Sequence, residues 1–588
     1  MFNFNLYKEG LRKTRTLAFL FLAVMLLAAI FQPITHLMNH SEAVRNGWHW
    51  ARSPIHIHGI SAYVMAPFAF FVGAPILTLS MFSFLAKRSS SDFYHAIPHR
   101  RSTLFVSFIA AVLTWVVGGM WISTAISTAI YATSSYTVVD FGSVVLTQIG
   151  LAAACFLVVA TFALAVSITG TKLSSLMTGL LILFVPRLIT TLFLSFVASE
   201  TRIVSLPDFG FFGAVSRHIP FGFFSHWIVG ESLYEAIVRG TFYTFILAII
   251  YLIVGGYLFV KRHSETAESP GTKWSQPIIR IVVAFLVTVP ALGIIMDRSY
   301  FGHNAEFFSI IVIVYSVALV TYFAYEFITA RKIPKLTKML PGIAVVILLN
   351  IVFLGGVVAS REIILRQINT ASISSITIEE MNTNHWGRGY ADLNVRGLTI
   401  NDEDIAVFFV DTLNANVRDS RQVGNRWWHG TEMRITFHVD GGRDITRTIR
   451  VRDHNIENLA ALMVDYEPYQ NIVLMTPENP DTISLGNFQY SSHDFWIDLP
   501  DVALRELYDI FREEIQNVDF RLWYGLVGPL NQDFDFADNE PPTDSSIVII
   551  FGEIQITGTA NGPAYRSHFP ITELTPRTLE RFLELTER

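Results

Sequence analysis

The feature that most limits how this chain can fold is a series of long apolar runs in its first 359 residues. An apolar run of about 20 residues is long enough to cross a bilayer as a helix. Nine such runs are read, at about 17–38, 59–85, 104–131, 141–168, 176–198, 240–260, 277–296, 306–330 and 339–359. Charged residues make up only 16% of the 588 residues, and 51% are hydrophobic. Soluble domains carry roughly 25% charged residues. The balance therefore excludes an ordinary soluble enzyme and a disordered chain. A net charge of −6 leaves no basic footprint for nucleic acid. The single cysteine, Cys155, rules out an intrachain disulfide and a Cys-rich metal site.

The averages hide two unlike parts. Residues 1–359 hold 24 Lys+Arg and 13 Asp+Glu, a net of +11. Residues 360–588 hold 19 Arg, no Lys and 36 Asp+Glu, a net of −17. Orientation follows the Lys/Arg bias of short loops. With the N-terminus inside, the inner segments carry 16 Lys+Arg and the outer ones six. The bias places the N-terminus in the cytoplasm, and nine crossings then place 360–588 outside. The first run has the basic front of a signal peptide, but it continues into Ile30-Phe31-Gln32-Pro33 with no small-x-small cleavage site. It is read as an uncleaved helix. The polar stretch 261–276, with Pro270 and Gly271, is a seam. The expected architecture is a polytopic α-helical membrane protein of about nine spans with a C-terminal α+β extracellular domain. Its parts are 1–260 (six helices), 261–359 (three helices) and 360–588 (the outer domain).

In the outer domain, alternating residues 435–439 and 445–451 around Asp440-Gly441-Gly442-Arg443 predict a hairpin. Residues 548–551 and 554–556 suggest a second strand pair. Helices are expected near 454–465, 499–516 and 573–587, the last with Thr575 as cap and Pro576 at its first position. The acidic run Asp533, Asp535, Asp538, Glu540 lacks the EF-hand glycine and spacing and reads as a solvated loop. On the outer side of the membrane part, His36, His40, His49, His56 and His58 cluster in sequence. No carboxylate with ligand spacing lies beside the His56/His58 pair, so no metal site is expected.

Arg187 falls near the middle of the fifth run, beside Pro186. A charge at that depth costs about 2.5–3.5 kcal/mol on insertion scales and must face protein, water or a counter-charge. It either lines a path through the membrane or bonds carbonyls freed by Pro186. Ser123, Thr124, Ser127 and Thr128 form a polar set on the third run. Small hydroxyl residues at this spacing serve helix packing or line a path. The loop 199–239 is rich in Phe209, Phe211, Phe212, Phe221, Phe223, Phe224 and Trp227, an interfacial composition.

The second cytoplasmic loop carries the most specific signal. Residues 87–105 read KRSSSDFYHAIPHRRSTLF. Serines and Asp92 suit a helix start, and Pro98 limits the helix to about two turns. Phe93 and Ile97, at i and i+4, would share one face. A short helix with aromatic knobs and basic flanks suits docking into a groove on a partner; the plain alternative is an ordinary basic loop.

The run SDFYHAIPHRRSTLF resembles the loop between helices 2 and 3 of bacterial ABC-2-type transporter permeases. The wider layout is similar too: a basic, amphipathic stretch Phe2–Lys8 before helix 1, a six-helix core over 1–260, and a Phe- and Gly-rich outer loop between helices 5 and 6. Helices 7–9 with a C-terminal domain look like a larger Gram-positive subgroup. The resemblance implies that Ser91, Asp92, Phe93, Tyr94, His95, Ala96, Ile97, Pro98, Arg100 and Arg101 contact a separate ATPase subunit. It further implies a second permease as dimer partner, a bacterial cell-membrane location and export. The chain has no Gly-Lys dipeptide and hence no G-x-x-x-x-G-K-[ST] phosphate loop. ATP and Mg²⁺ would then be bound by the ATPase subunit, with no cofactor in this chain. The alternative is a membrane sensor whose outer domain binds a ligand and signals through an ATPase without transport. An intramembrane enzyme is disfavoured, since the helices show neither an Asp pair nor a His-Glu-x-x-His motif.

Overall fold

The computed structural model describes residues 2–46, 55–209, 213, 217–223, 233–263, 267–268, 275–296, 305–330, 336–366, 372–382, 397–421, 430–452, 455, 458–459, 462–463, 465–473, 482–488, 501–518, 550–556, 565–571 and 575–586. They form two compact units. One comprises residues 1–196 and 209–358, the other 197–208 and 359–588.

The first unit is helical. In order come α1 (Phe4–Arg45), α2 (Ala74–Met81), α3 (Arg88–Ala96), α4 (Arg101–Ala132), α5 (Phe141–Ile168), α6 (Lys172–Thr201), α7 (Leu233–Lys261), α8 (Ser275–Met296), α9 (Ala305–Ala330) and α10 (Leu336–Ile364). The last turns of α6 and α10 belong to the second unit. Among the described residues, six helices are long and apolar enough to cross a membrane: α1, α4, α5, α6, Ile237–Lys261 of α7 and Leu340–Ile364 of α10. They coincide with six of the nine predicted runs, and the chain is a helical membrane protein. The other three runs hold shorter apolar helices, Ala69–Met81, Ser275–Val289 and Ile311–Ala324.

The run 59–85 departs most from a straight span. It opens with a 3₁₀ turn, Gly59–Ala62, passes through a π-helical turn, Ala69–Gly73, and becomes α-helical only in α2. Gly59 has φ +46°, a left-handed conformation that glycine adopts without Cβ strain, and Pro67 has no N–H to give a helix. The irregular backbone is held by side chains from three helices. Ser143 Oγ of α5 accepts from Gly59 N at 2.9 Å. Ser127 Oγ of α4 donates to Ala62 O at 2.6 Å. The Gln32 amide of α1 donates to Ser61 O and accepts from Val64 N, at 3.2 and 3.0 Å. Tyr63 Oη donates back to Met25 O at 2.7 Å.

The core of this unit sits around α5, which is buried on nearly every side. Gly150 lets α7 approach: a Cβ there would lie 2.7 Å from Thr241 Oγ1. Gly255 does the same from α7, where a Cβ would meet Leu164 Cα at 3.1 Å. Small residues at such crossings permit the close backbone packing that drives helix association in lipid. α8, α9 and α10 share a polar triad centred on the buried Thr288 and Asn350. Thr288 Oγ1 donates to Asn350 Oδ1 at 2.9 Å, and Asn350 Nδ2 donates to Tyr315 Oη at 3.0 Å. Phe353 joins α10 to α6 and α8, edge-on to Phe193, Phe196 and Phe285.

The N-terminal stretch expected to precede helix 1 is continuous with it. Asn3 caps α1 by accepting from Asn5 N and Leu6 N, and the helix then runs 42 residues through Pro33. At the far end of the bundle, β1 (Ile55–Ile57) pairs in parallel with β2 (Thr137–Val139). Asp140 follows β2 and caps α5, its Oδ1 accepting from Ser143 N at 3.1 Å.

The second unit contains two sheets. The first has strand order β4–β3–β5–β6, all antiparallel: β3 (Ile373–Asn382), β4 (Leu398–Ile400), β5 (Gly430–Val439) and β6 (Ile445–Arg452). Its apolar face, with Ile376, Ile378, Ile435, Phe437 and Ile449 buried, lies with the buried Ile405, Phe409, Val410, Leu413 and Val417 of α11 (Glu403–Arg421). β5 and β6 are the predicted hairpin, with Gly441 at φ +64° in the turn. The second sheet has order β7–β8–β9: β7 (Thr482–Phe488), β8 (Ile550–Ile556) and β9 (Tyr565–Ile571). The pair expected at 548–551 and 554–556 is instead the single strand β8, because Gly552 and Glu553 stay in register with β7 and β9 rather than turning. α12 (Glu467–Val473) precedes this sheet, α13 (Asp501–Ile515) covers the expected 499–516, and α14 (Pro576–Thr586) covers 573–587. The carboxylate of Glu514 on α13 caps α14, accepting from Arg577 N and Thr578 N at 2.8 Å each. The acidic run 533–540 and half of 454–465 lie outside the described residues.

The α5 cap yields a pH-dependent prediction. The Ser143 N–H bond holds the Asp140 carboxyl below its usual range. The cap's contribution is thus complete above the ordinary carboxylate value of about 3.9 and is lost as pH falls through the depressed one. Asp140→Ala should raise exchange of the Ser143 amide about fivefold at neutral pH, a loss of about 1 kcal/mol. Hydrogen exchange between neutral and acid pH checks both, and unchanged protection in the variant would refute the capping role.

Candidate functional site

Residues 83–101 lie at the end of the first unit where α5 and α7 terminate, here called the basic end. The segment is a short helix, α3, slung between a 3₁₀ turn, Ser83–Ala86, and α4. The helix starts earlier than expected. Lys87 is its N-cap, without a side-chain bond, so the three serines fall in the first turns and Asp92 mid-helix. Ser91 is buried, while Asp92 and Phe93 are exposed. Ile97 takes an extended backbone, φ −62° and ψ 135°, at the C-cap, as a residue before proline prefers. Phe93 and Ile97 therefore do not share a helix face. Ile97 packs against the core, and Phe93 points away, 67% exposed. Pro98 is exposed. His95 and Ala96 belong to α3, and their side chains lie outside the described residues.

Tyr94 is the inward anchor. Its ring stacks on Phe84 at 4.1 Å and meets Phe108 edge-on at 6.2 Å. Lys13 of α1 completes the box, its Nζ 4.6 Å from the centres of both Phe84 and Tyr94. The same ammonium donates to Met81 O, the last carbonyl of α2, at 3.0 Å. One cation thus caps a helix C-terminus, where the dipole favours positive charge, and binds two ring faces.

Two arginines hold the same end. Arg101 donates to Val260 O at 3.1 Å and Arg262 O at 2.8 Å, closing the end of α7. Arg262 is buried and donates to Thr169 O at 2.6 Å, to Val166 O, and to Leu85 O at 3.0 Å. It joins the last carbonyls of α5 to the turn that feeds α3. Burial pulls its pKa down to about 10, which leaves it charged. Arg101, read from sequence as part of a contact surface, is half-buried and spends its guanidinium on carbonyls of this chain, and Arg100, the N-cap of α4, is exposed. Lys13 and Arg262 were missed as site residues. Only their positions, one turn outside an apolar run, hinted at them.

Arg187 lies half-buried in α6, which continues through Pro186. Thr190 Oγ1 donates to Pro186 O at 2.9 Å. His218 is buried in a turn whose Ile219 N donates to Thr244 Oγ1 of α7 at 3.3 Å. Burial, then the Arg187 charge, pulls the His218 pKa down to about 4, so the imidazole is neutral near pH 7. The structure thus brings Arg187 into the electrostatic neighbourhood of His218. Of the α4 set, Thr124 bonds its own helix at Met120 O and Ser127 holds Ala62 O. Ser123 and Thr128 are buried. Of the loop aromatics, Phe223 packs on Phe70 and Phe71; Phe211, Phe212, Phe224 and Trp227 lie outside the described residues.

The His56 and His58 rings stack at 5.8 Å, and His58 Nδ1 lies 3.7 Å from Asp140 Oδ2. That carboxylate arrives through the β1–β2 pairing, which sequence spacing does not show. In the second unit, the segment after α6 lies along the edge strand β6: Thr448 N donates to Ile203 O at 2.9 Å. Asp208, 2% exposed, accepts from Arg434 Nε at 2.7 Å. Ser420 Oγ donates to Thr201 O at 2.9 Å. The last turn of α6 is therefore part of the unit that carries β5 and β6.

No family model, curated protein or solved structure matches this chain.

Arg262→Met should destabilise the chain by about 2–4 kcal/mol, because three buried carbonyls lose a charged donor. A lower unfolding midpoint in detergent, together with faster tryptic cleavage after Arg88 and Arg100, checks this. An unchanged midpoint would show the ties to be incidental.

Proposed function

We propose that this chain is the membrane-spanning permease subunit of an ABC-2-type exporter and docks a separate ATPase through residues 88–98. The observation that supports the reading most is the division of labour within α3. Tyr94 and Ile97 hold the helix to the bundle, while Asp92 and Phe93 are left facing out beside a cluster of basic residues. A helix that served only as a connection would not need an aromatic box, a lysine and two arginine-capped helix ends behind it. The resemblance of SDFYHAIPHRRSTLF to the docking loop of that class supplies the partner's identity. In this reading the basic end is cytoplasmic, nine segments cross the membrane, and the domain after residue 359 lies outside. ATP and Mg²⁺ are bound by the partner, and a second permease completes the path. Arg187 faces that path.

A second reading is favoured by one specific observation, the incorporation of residues 197–208 into the second unit. A domain that grips the end of α6 as well as continuing from α10 is suited to pass a ligand-binding event to the helices. This is the sensor reading, in which an ATPase drives a change of shape and no solute moves.

Phe93→Asp should abolish capture of the ATPase by the purified chain with little effect on the unfolding midpoint, since the side chain is exposed. Arg187→Ala should stop ATP-driven efflux from reconstituted vesicles while leaving capture intact. Undiminished capture by the Phe93 variant would overturn the docking surface. Ligand binding to the outer domain without any flux would favour the sensor.

A further inference from the structure

The outer halves of α4 and α5 carry a band of buried polar side chains whose polar atoms have no hydrogen-bond partner among the described residues. They are Ser123 and Thr128 on α4 and Thr147 and Gln148 on α5. All are more than nine-tenths buried, and Gln148, 8% exposed, lacks a partner at both Oε1 and Nε2.

Thr128, Thr147 and Gln148 share one depth, and Ser123 lies about 7.5 Å further in. Tyr131 and Val144 sit in a common apolar cluster and fix the antiparallel register of the two helices. Three and four residues inward from each, at 1.5 Å of rise per residue, come Thr128 and Ser127 on one helix and Thr147 and Gln148 on the other. The broken segment reaches the same level. Ser127 holds Ala62, and Ser143, one turn before Thr147 on the same face of α5, holds Gly59. The opposite faces are apolar and exposed, with Val145 and Ile149 on α5 and Trp121 and Ile122 on α4. Polar groups point in and apolar groups point out.

A buried polar group without a partner costs about 1–3 kcal/mol, and alanine or leucine would avoid that penalty. Backbone that is not helical occurs at membrane depth where it is buried in protein or lines a cavity, and broken helices of this kind form the sites of many transporters. The chemistry of the band is specific. No Asp, Glu, Lys or Arg occurs in 102–139 or 141–171; the one charged residue between them, Asp140, caps α5 beside His58, about two turns from Gln148. Gln148 offers two N–H donors and a carbonyl, and the hydroxyls serve as donor or acceptor. That set complements a neutral amide.

We propose that this polar band of α4 and α5, beside the 58–66 break, binds an uncharged amide-bearing amphiphile, with Gln148 as its principal hydrogen-bonding residue. As a substrate assignment it rests on the permease reading; as a binding site it rests only on the membrane-embedded helices.

The test uses the full chain in vesicles with Cys155→Ala, which removes the only thiol, and one new cysteine at a time. The reagent is the water-soluble trimethylammonium-ethyl methanethiosulfonate. Gln148→Cys and Thr128→Cys should react at least about tenfold faster than the outward-facing controls Val145→Cys and Ile149→Cys, because thiol reaction needs access to water. N-octanoyl-N-methylglucamide, below its micelle concentration, should slow the reaction at Gln148→Cys several-fold. Octanoate and octyltrimethylammonium should not. Rates equal to the controls would overturn the polar site, and equal protection by all three amphiphiles would overturn the neutral-amide assignment. Gln148→Leu adds a measure free of labelling: its unfolding midpoint should hold or rise, whereas a fall of several degrees would mark Gln148 as a structural bond. None of these readouts needs an ATPase or flux, so the exporter reading can fail while the site stands.

Discussion

A peptide group in hydrocarbon has no water to fall back on, and much of the first unit is an answer to that constraint. Straight helices meet it internally. The break at 58–73 does not, and three separate helices lend it side chains: Gln32 from α1, Ser127 from α4 and Ser143 from α5. These bonds fix where α1, α4 and α5 stand around the second segment. The break is thereby a junction, and moving any one helix would break a hydrogen bond to its backbone.

The same requirement governs the basic end. The last four carbonyls of a helix lack partners within it. Here cations from other helices supply them: Lys13 for α2, Arg101 for α7 and Arg262 for α5. Each cation serves the helix dipole and crosslinks two elements in one stroke. With its inner face held this firmly, α3 keeps Asp92 and Phe93 facing out.

Much of this architecture was legible in the sequence. Six apolar runs become helices of membrane-spanning length because hydropathy over 20 residues suffices to specify a helix in lipid. The run 59–85 misleads because hydropathy does not register Gly59 or Pro67, which decide its path. The hairpin at 435–451 was readable from alternation and a Gly-Gly turn, whereas β8 was mistaken for two strands because a strand can carry Gly552 without turning. Helix α11 was missed, although Ile405, Phe409, Leu413 and Val417 recur every four residues. In the candidate site, Phe93 and Pro98 follow from local chemistry. The box around Tyr94 does not, since Lys13, Phe84 and Phe108 converge from separate elements. Asp140 beside His58 and Asp208 beside Arg434 are likewise products of tertiary structure.

Helix α1 has a geometric consequence. Its 42 residues, at 1.5 Å each, make a rod of roughly 63 Å, about twice the thickness of the hydrocarbon layer. Lys13 rides near one end and His36 and His40 near the other, without a loop between them. One continuous segment therefore supplies a residue to each end of the first unit, the lysine under Tyr94 and the histidine beside Tyr131, a reach that its neighbours divide among several helices.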